Sequence, residues 1–165
     1  MMYFIELVIL LGRLIEGEGA HLFPDQRYEV GVALAHVALN RQATQQPWQT
    51  LDTVIVDGFY GINRVTSPQP WAIEIATEVL TEHTDANDPT GRSVYVLSKQ
   101  DLEALGVASD DCVVLSFENG PWGLYFFRQW PIGCTEVKPP SKVYHPCGYN
   151  RQCPPDAWGR SVGVQ

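Results

Sequence analysis

Residues 2–18 form an almost unbroken apolar run, Met-Tyr-Phe-Ile-Glu-Leu-Val-Ile-Leu-Leu-Gly-Arg-Leu-Ile-Glu-Gly-Glu, and helical spacing puts Leu7, Leu11, Leu14 and Glu18 on one line. Glu6 and Arg13 mark the opposite, wetter side. The stripe faces a core, so its last member is a carboxyl group half buried at a helix end. Burial disfavours the ionised form and raises the pKa, the condition a general acid needs near neutral pH. Glu16, one turn after Arg13, reads instead as half of an exposed i,i+3 ion pair. A solvated helix-end residue is the other reading of Glu18, and periodicity alone leaves both open.

The run is not a leader by its pattern: Glu6 interrupts the apolar stretch and Arg13 follows it, where a signal peptide wants a basic start and an unbroken apolar centre. It is also shorter than the roughly 20 apolar residues that cross a bilayer. It is expected to be the first helix of the fold, with no membrane insertion. With 165 residues, 45% of them hydrophobic, the chain can bury one real core. A net charge of −8 excludes a basic footprint for nucleic acid. A neutral or weakly anionic glycan can still be held by stacking and hydrogen bonds, for which five Trp and seven Tyr are available.

Further along, Ala20–Arg27 carries loop residues, and Tyr28–Arg41 is apolar around nearly every turn, the pattern of a buried central helix. His36 on that helix reads as a core histidine. Pro47–Val56 predicts a third helix opened by its proline, and Gly58-Phe-Tyr-Gly61 breaks it. Pro70–Thr84 is the fourth helix, with Ile73, Ala76, Thr77 and Leu80 at core spacing; Asp85–Gly91 is a polar turn. Then the texture changes. Ser93–Leu97 reads as a strand, Ser98 and Asp101 as a capping box for a short helix through Leu105, and Cys112–Phe117 with Trp122–Phe127 as a hairpin joined at Glu118–Pro121. The expected fold is α+β: about four helices, then a small antiparallel sheet, in a lysozyme-like arrangement over residues 1–130. Residues 131–165, rich in Pro and Cys, form an irregular tail.

Three of the four cysteines, Cys134, Cys147 and Cys153, fall in that tail, and Cys112 lies upstream. Disulfide stapling is one reading, with three connectivities that sequence does not rank. Zinc held by Cys134, His145, Cys147 and Cys153 is another, though no CxxC knuckle is present, and free thiols are a third. No cofactor or metal is called for.

Leu14-Ile-Glu-Gly-Glu-Gly19, Val32-Ala-Leu-Ala-His-Val-Ala-Leu-Asn-Arg41 and Asp52-Thr-Val-Ile55 follow one another in an order that resembles the opening of the spore-cortex-lytic (SleB-like) cell wall hydrolases, which also occur in phages. Phe59-Tyr-Gly-Ile-Asn63 resembles that family's Phe-Ser-x-x-Asn loop. Asp88-Pro-Thr-Gly91 with Tyr95 resembles its Asp-Pro-Thr-Gly-Gly-Ala-x-Tyr/His element, and Gly123-Leu-Tyr-Phe-Phe127 its closing strand. The likeness spans residues 5–128. There are departures too: His21–Asp25 look inserted, Gly58, Tyr60, Arg92 and Tyr125 replace the usual Gln, Ser, Gly and His, and the tail has no parallel.

The resemblance implies cleavage of peptidoglycan between N-acetylmuramic acid and N-acetylglucosamine by a lytic transglycosylase route, with Glu18 as the single acid and base. It implies a monomer acting on glycan strands of the cell wall, outside the cytoplasm or after phage release, reached through a holin-type exit or a leader not contained in these residues. Tyr95, Phe59, Tyr60, Asn40 and Asn63 become the expected substrate contacts; the other readings are a Tyr95 that packs on the core, a Phe59 and Tyr60 that cover a core edge, and an Asn40 that orients Glu18 or caps its own helix. A water-using hydrolase would need a second carboxylate, for which Asp25, Glu29 and Asp57 are candidates. Two other classes stay open: a non-catalytic glycan-binding or phage structural domain of this fold, and a zinc module built on the tail.

Overall fold

The first helix, α1 (Met2–Gly17), lies at the centre of the helical half, where it touches the helices α2 (Arg27–Thr44), α3 (Leu51–Gly58) and α4 (Pro70–Glu82). The computed structural model describes residues 1–107 and 112–134; beyond residue 132 only the backbone is described. The proposed tail therefore lies almost wholly outside the described residues, as does the zinc set. Leu7, Leu11 and Leu14 are buried as their spacing requires, and Leu11, Leu14 and Ile15 have no solvent exposure at all. They meet Val30, Leu34 and Val37 of α2, Val54 and Ile55 of α3, and Ala72, Ile75, Ala76 and Val79 of α4 in one cluster. Each large aliphatic buried there contributes roughly 1.5–3 kcal/mol.

Helix boundaries differ from the expected ones for local reasons. α3 starts at Leu51 with Thr50 as its N-cap, four residues after Pro47, because residues 46–50 are turned back on α2. Gln46 N–H donates to Arg41 O and Gln42 Nε2 to Gln49 O. α4 does begin at Pro70, but its core face is Ala72, Ile75, Ala76 and Val79. Thr77 is exposed and its hydroxyl donates to Ile73 O.

The second half is a three-stranded antiparallel sheet ordered β1-β3-β2, from β1 (Tyr95–Ser98), β2 (Val113–Asn119) and β3 (Trp122–Phe127), with α5 (Lys99–Leu105) between β1 and β2. β3 is central and, past its first residue, buried on both faces. Its alternation sorts the two sides: Leu124 and Phe126 join the helical cluster, while Tyr125 and Phe127 join a smaller one with Tyr95, Leu97, Leu102, Leu105 and Trp130. The sheet is thus clamped between the helices and α5, giving one mixed α+β domain. α5 opens on the expected capping box, Ser98 accepting from Asp101 N–H and returning the bond to Asp101 Oδ2. The hairpin turn is Gly120-Pro121, shorter than expected; Gly120 at φ 57° followed by a proline fits a type II′ turn. No described helix is long and apolar enough to cross a membrane. Cys112 is disulfide-bonded, which favours the stapling reading over free thiols for this residue.

Candidate active site

α1 stops where Gly19 adopts φ 112°, a left-handed conformation that glycine takes without Cβ strain, and the chain turns into a short 3-10 helix at Ala20–Leu22. Glu18 is thereby fixed as the C-cap residue, its N–H donating to Leu14 O at 2.8 Å. Directly against it lies the 3-10 turn Tyr60–Asn63. The two backbones pack with no room for side chains: a Cβ on Gly17 would sit 1.8 Å from Gly61 O, and one on Gly61 would sit 2.6 Å from Glu18 N and 2.8 Å from Glu18 Oε1. That closeness lets Gly61 N–H donate to Glu18 Oε1 at 2.8 Å.

Glu18 is half-buried and lines a cleft of about 710 Å³, with its carboxyl surrounded by protein and bonded to Gly61 N–H. Burial pushes its pKa above the ordinary 4.5; the Gly61 N–H and the positive charges of Arg64 and Arg41 oppose this without cancelling it, and Asp101 adds to it. The C-terminal end of α1 carries partial negative charge and favours the protonated acid as well. Glu18 has no ion-pair partner among the described residues. A carboxyl so placed can give up a proton to a bound group and take one back.

The cleft has three walls. The first is the end of α1 with Glu16, Gly19, His21 and Phe23; the second is Arg64 and Val65 after the 60–63 turn; the third is Ser98, Gln100 and Asp101 with Trp122 and Leu124 of β3. Arg64 Nη1 donates to Gly17 O at 3.2 Å, tying the second wall to the first. Asn119 Nδ2 donates to Leu22 O at 2.7 Å, tying the hairpin to the first.

Several expected contacts are elsewhere. Arg13 is not paired with Glu16: its guanidinium donates to Val65 O and Ile62 O, both at 2.7 Å, and holds the loop that carries Gly61. Glu16 accepts from Gln69 N–H and lines the cleft. Asn40 neither touches Glu18 nor lines the cleft; its buried amide donates to Asp88 Oδ2, Thr90 Oγ1 and Ser93 O, fastening the Asp88–Gly91 loop to α2. Asp88 is buried, which alone would raise its pKa, yet bonds from Thr90, Asn40 and Arg92 N–H hold it below the usual range. Tyr95 is buried, its hydroxyl accepting from Gln45 Nε2 and its ring 5.3 Å edge-on from Trp130. Phe59 is also buried, 4.2 Å beneath the Arg41 guanidinium. Both are core aromatics. Only Tyr60 and Asn63 of the expected contacts are exposed, beside the cleft rather than lining it.

The candidate second carboxylates are likewise displaced. Asp25 lines a separate hollow of about 160 Å³, Glu29 is exposed on α2, and Asp57 sits on α3, its pKa raised by burial. The acids that share the cleft with Glu18 are Glu16 and Asp101. His36 is a buried histidine, as expected; it meets His83, Nδ1 to Nδ1, at 2.8 Å, and burial lowers its pKa. The described residues hold no cluster of three or more His, Cys, Asp or Glu side chains fit for a metal. Sequence reading missed Trp122, which lines the cleft and is 41% exposed; an exposed Trp at a hairpin mouth was the available signal. Comparison of the chain with protein-family models, curated proteins and solved structures finds no match.

Proposed function

We propose that the protein cleaves peptidoglycan glycan strands between N-acetylmuramic acid and N-acetylglucosamine by a lytic transglycosylase route, with Glu18 as acid and then base. The observation that carries this reading is the enclosed Glu18 carboxyl at the wall of a cleft, bonded to one backbone N–H and free of any ion pair among the described residues. The motif order supplies the substrate class.

Glu18 O–H donates its proton to the glycosidic oxygen as the C1–O bond breaks, leaving an oxocarbenium-like muramoyl ring. The Glu18 carboxylate then accepts the proton of the C6 hydroxyl, whose oxygen closes on C1 to give a 1,6-anhydro end. Proton and electrons balance within substrate and one side chain. Gly61 N–H stabilises the carboxylate that forms midway. A hydrolytic variant would place Asp101 or Glu16 on the attacking water, and its product would carry a reducing end.

Digestion of purified peptidoglycan followed by mass analysis tests the reading. Anhydro-muropeptides are expected from the native protein, and a loss of about a hundredfold or more in Glu18→Gln. Equal cleavage by both proteins would remove Glu18 from the chemistry; glycan binding without cleavage by the native protein would make this a binding domain.

A further inference from the structure

Among the described residues, Trp122 is the one large aromatic of the cleft that also faces solvent, and the fold holds it there. It is the first residue of β3, paired with Asn119 across the Gly120-Pro121 turn. Asn119 is in turn bonded to Leu22 O on the opposite wall, so the indole is carried on a hairpin end anchored beside Glu18. Leu22, Phe23, Val65 and Leu124 make the adjoining surface apolar. Among the described residues the indole has no hydrogen bond and no ring partner that would account for its position.

A flat apolar face beside a polar side chain of the same cleft, Gln100, suits the C–H face of a pyranose with its equatorial polar substituents turned outward. Glu16 and Asp101 on the same walls, in a chain of net charge −8, disfavour an anionic ring at that place.

We propose that Trp122 is the platform of a sugar subsite that takes a neutral N-acetylhexosamine ring of a β-linked glycan next to the bond presented to Glu18. This rests on the glycan reading above, but it concerns recognition rather than chemistry. Trp122 is a binding residue and takes no proton.

The test uses tetra-N-acetylchitotetraose for binding, by calorimetry and by indole N–H shifts, and purified peptidoglycan for turnover. Trp122→Ala is expected to weaken chitotetraose binding about tenfold or more and to raise KM similarly, with kcat changed little. Trp122→Phe, which keeps a ring, is expected to recover most of the loss, and Trp48→Ala, at an exposed turn away from the cleft, to match the native protein. Glu18→Gln separates the two claims, because it is expected to abolish cleavage while binding chitotetraose normally. A folded Trp122→Ala protein with native affinity and KM overturns the inference, and so does a native protein that binds no chitotetraose, whatever its activity.

Discussion

At the scale of the residue, two side chains with similar sequence credentials have opposite fates. Glu18 closes a buried stripe and ends in a cleft, enclosed and bonded to Gly61 N–H. Asn40, expected to close α2, lies one turn before its end and spends its amide on three acceptors in the Asp88–Ser93 loop. Asn40→Ala is therefore expected to cost about 2–3 kcal/mol in urea unfolding, by leaving buried acceptors unpaired, while KM per folded molecule stays native. A raised KM with unchanged stability would return Asn40 to the substrate. Tyr95 teaches the same lesson, since its hydroxyl is met by Gln45 inside the second cluster. What the residues alone conveyed was burial; which buried polar group faces a cavity depends on the segment opposite, and Gly61 lies 43 positions from Glu18.

At the scale of the element, the site is a contact between two backbones. The helix end at Gly17 and the 60–63 turn approach so closely that Gly17→Ala would drive a Cβ to 1.8 Å from Gly61 O, a clash with main chain that no side-chain motion relieves. Its expected cost is at the upper end of the roughly 1–3 kcal/mol typical of overpacking, with loss of activity even where the protein still folds, measured by thermal unfolding and turnover together. Native stability in the Gly17→Ala variant would show that the two backbones can move apart without cost. The elements themselves were largely legible: the 3–4 spacing of α1, Pro70 opening α4 and the Ser98/Asp101 box all reflect chemistry within one turn of chain. The start of α3 was not, because the turn at 46–50 is set by contacts with α2, not by Pro47. Arg13 misled for the same reason: its partners, Ile62 O and Val65 O, lie 49 and 52 positions away.

At the scale of the whole molecule, Glu18 and Asp88 contribute opposite pH dependences to stability. Glu18 holds its proton more tightly folded than unfolded, so its contribution is complete below the ordinary 4.5 and is lost as pH rises through its raised folded value. Asp88 runs the other way: held below its ordinary 3.8, it stabilises above that pH and fails as pH falls through its lowered value. His36, lowered by burial from 6.5, also loses stability on acidification. The difference in unfolding free energy between native protein and Glu18→Gln is expected to fall as pH is raised from about 4.5, because only the native protein must ionise that buried group. A difference independent of pH would mean that Glu18 titrates as a solvated carboxyl. The clamped sheet and the three-walled cleft also belong to this scale, and they brought Trp122 into the site while leaving Phe59 in the core. The central claim, that Glu18 keeps its proton above the usual carboxylate range, is tested most directly by following its side-chain carboxyl carbon through a pH titration by NMR, assigned with Glu18→Gln. A midpoint clearly above 4.5 is expected; one at or below 4.5 would contradict the account.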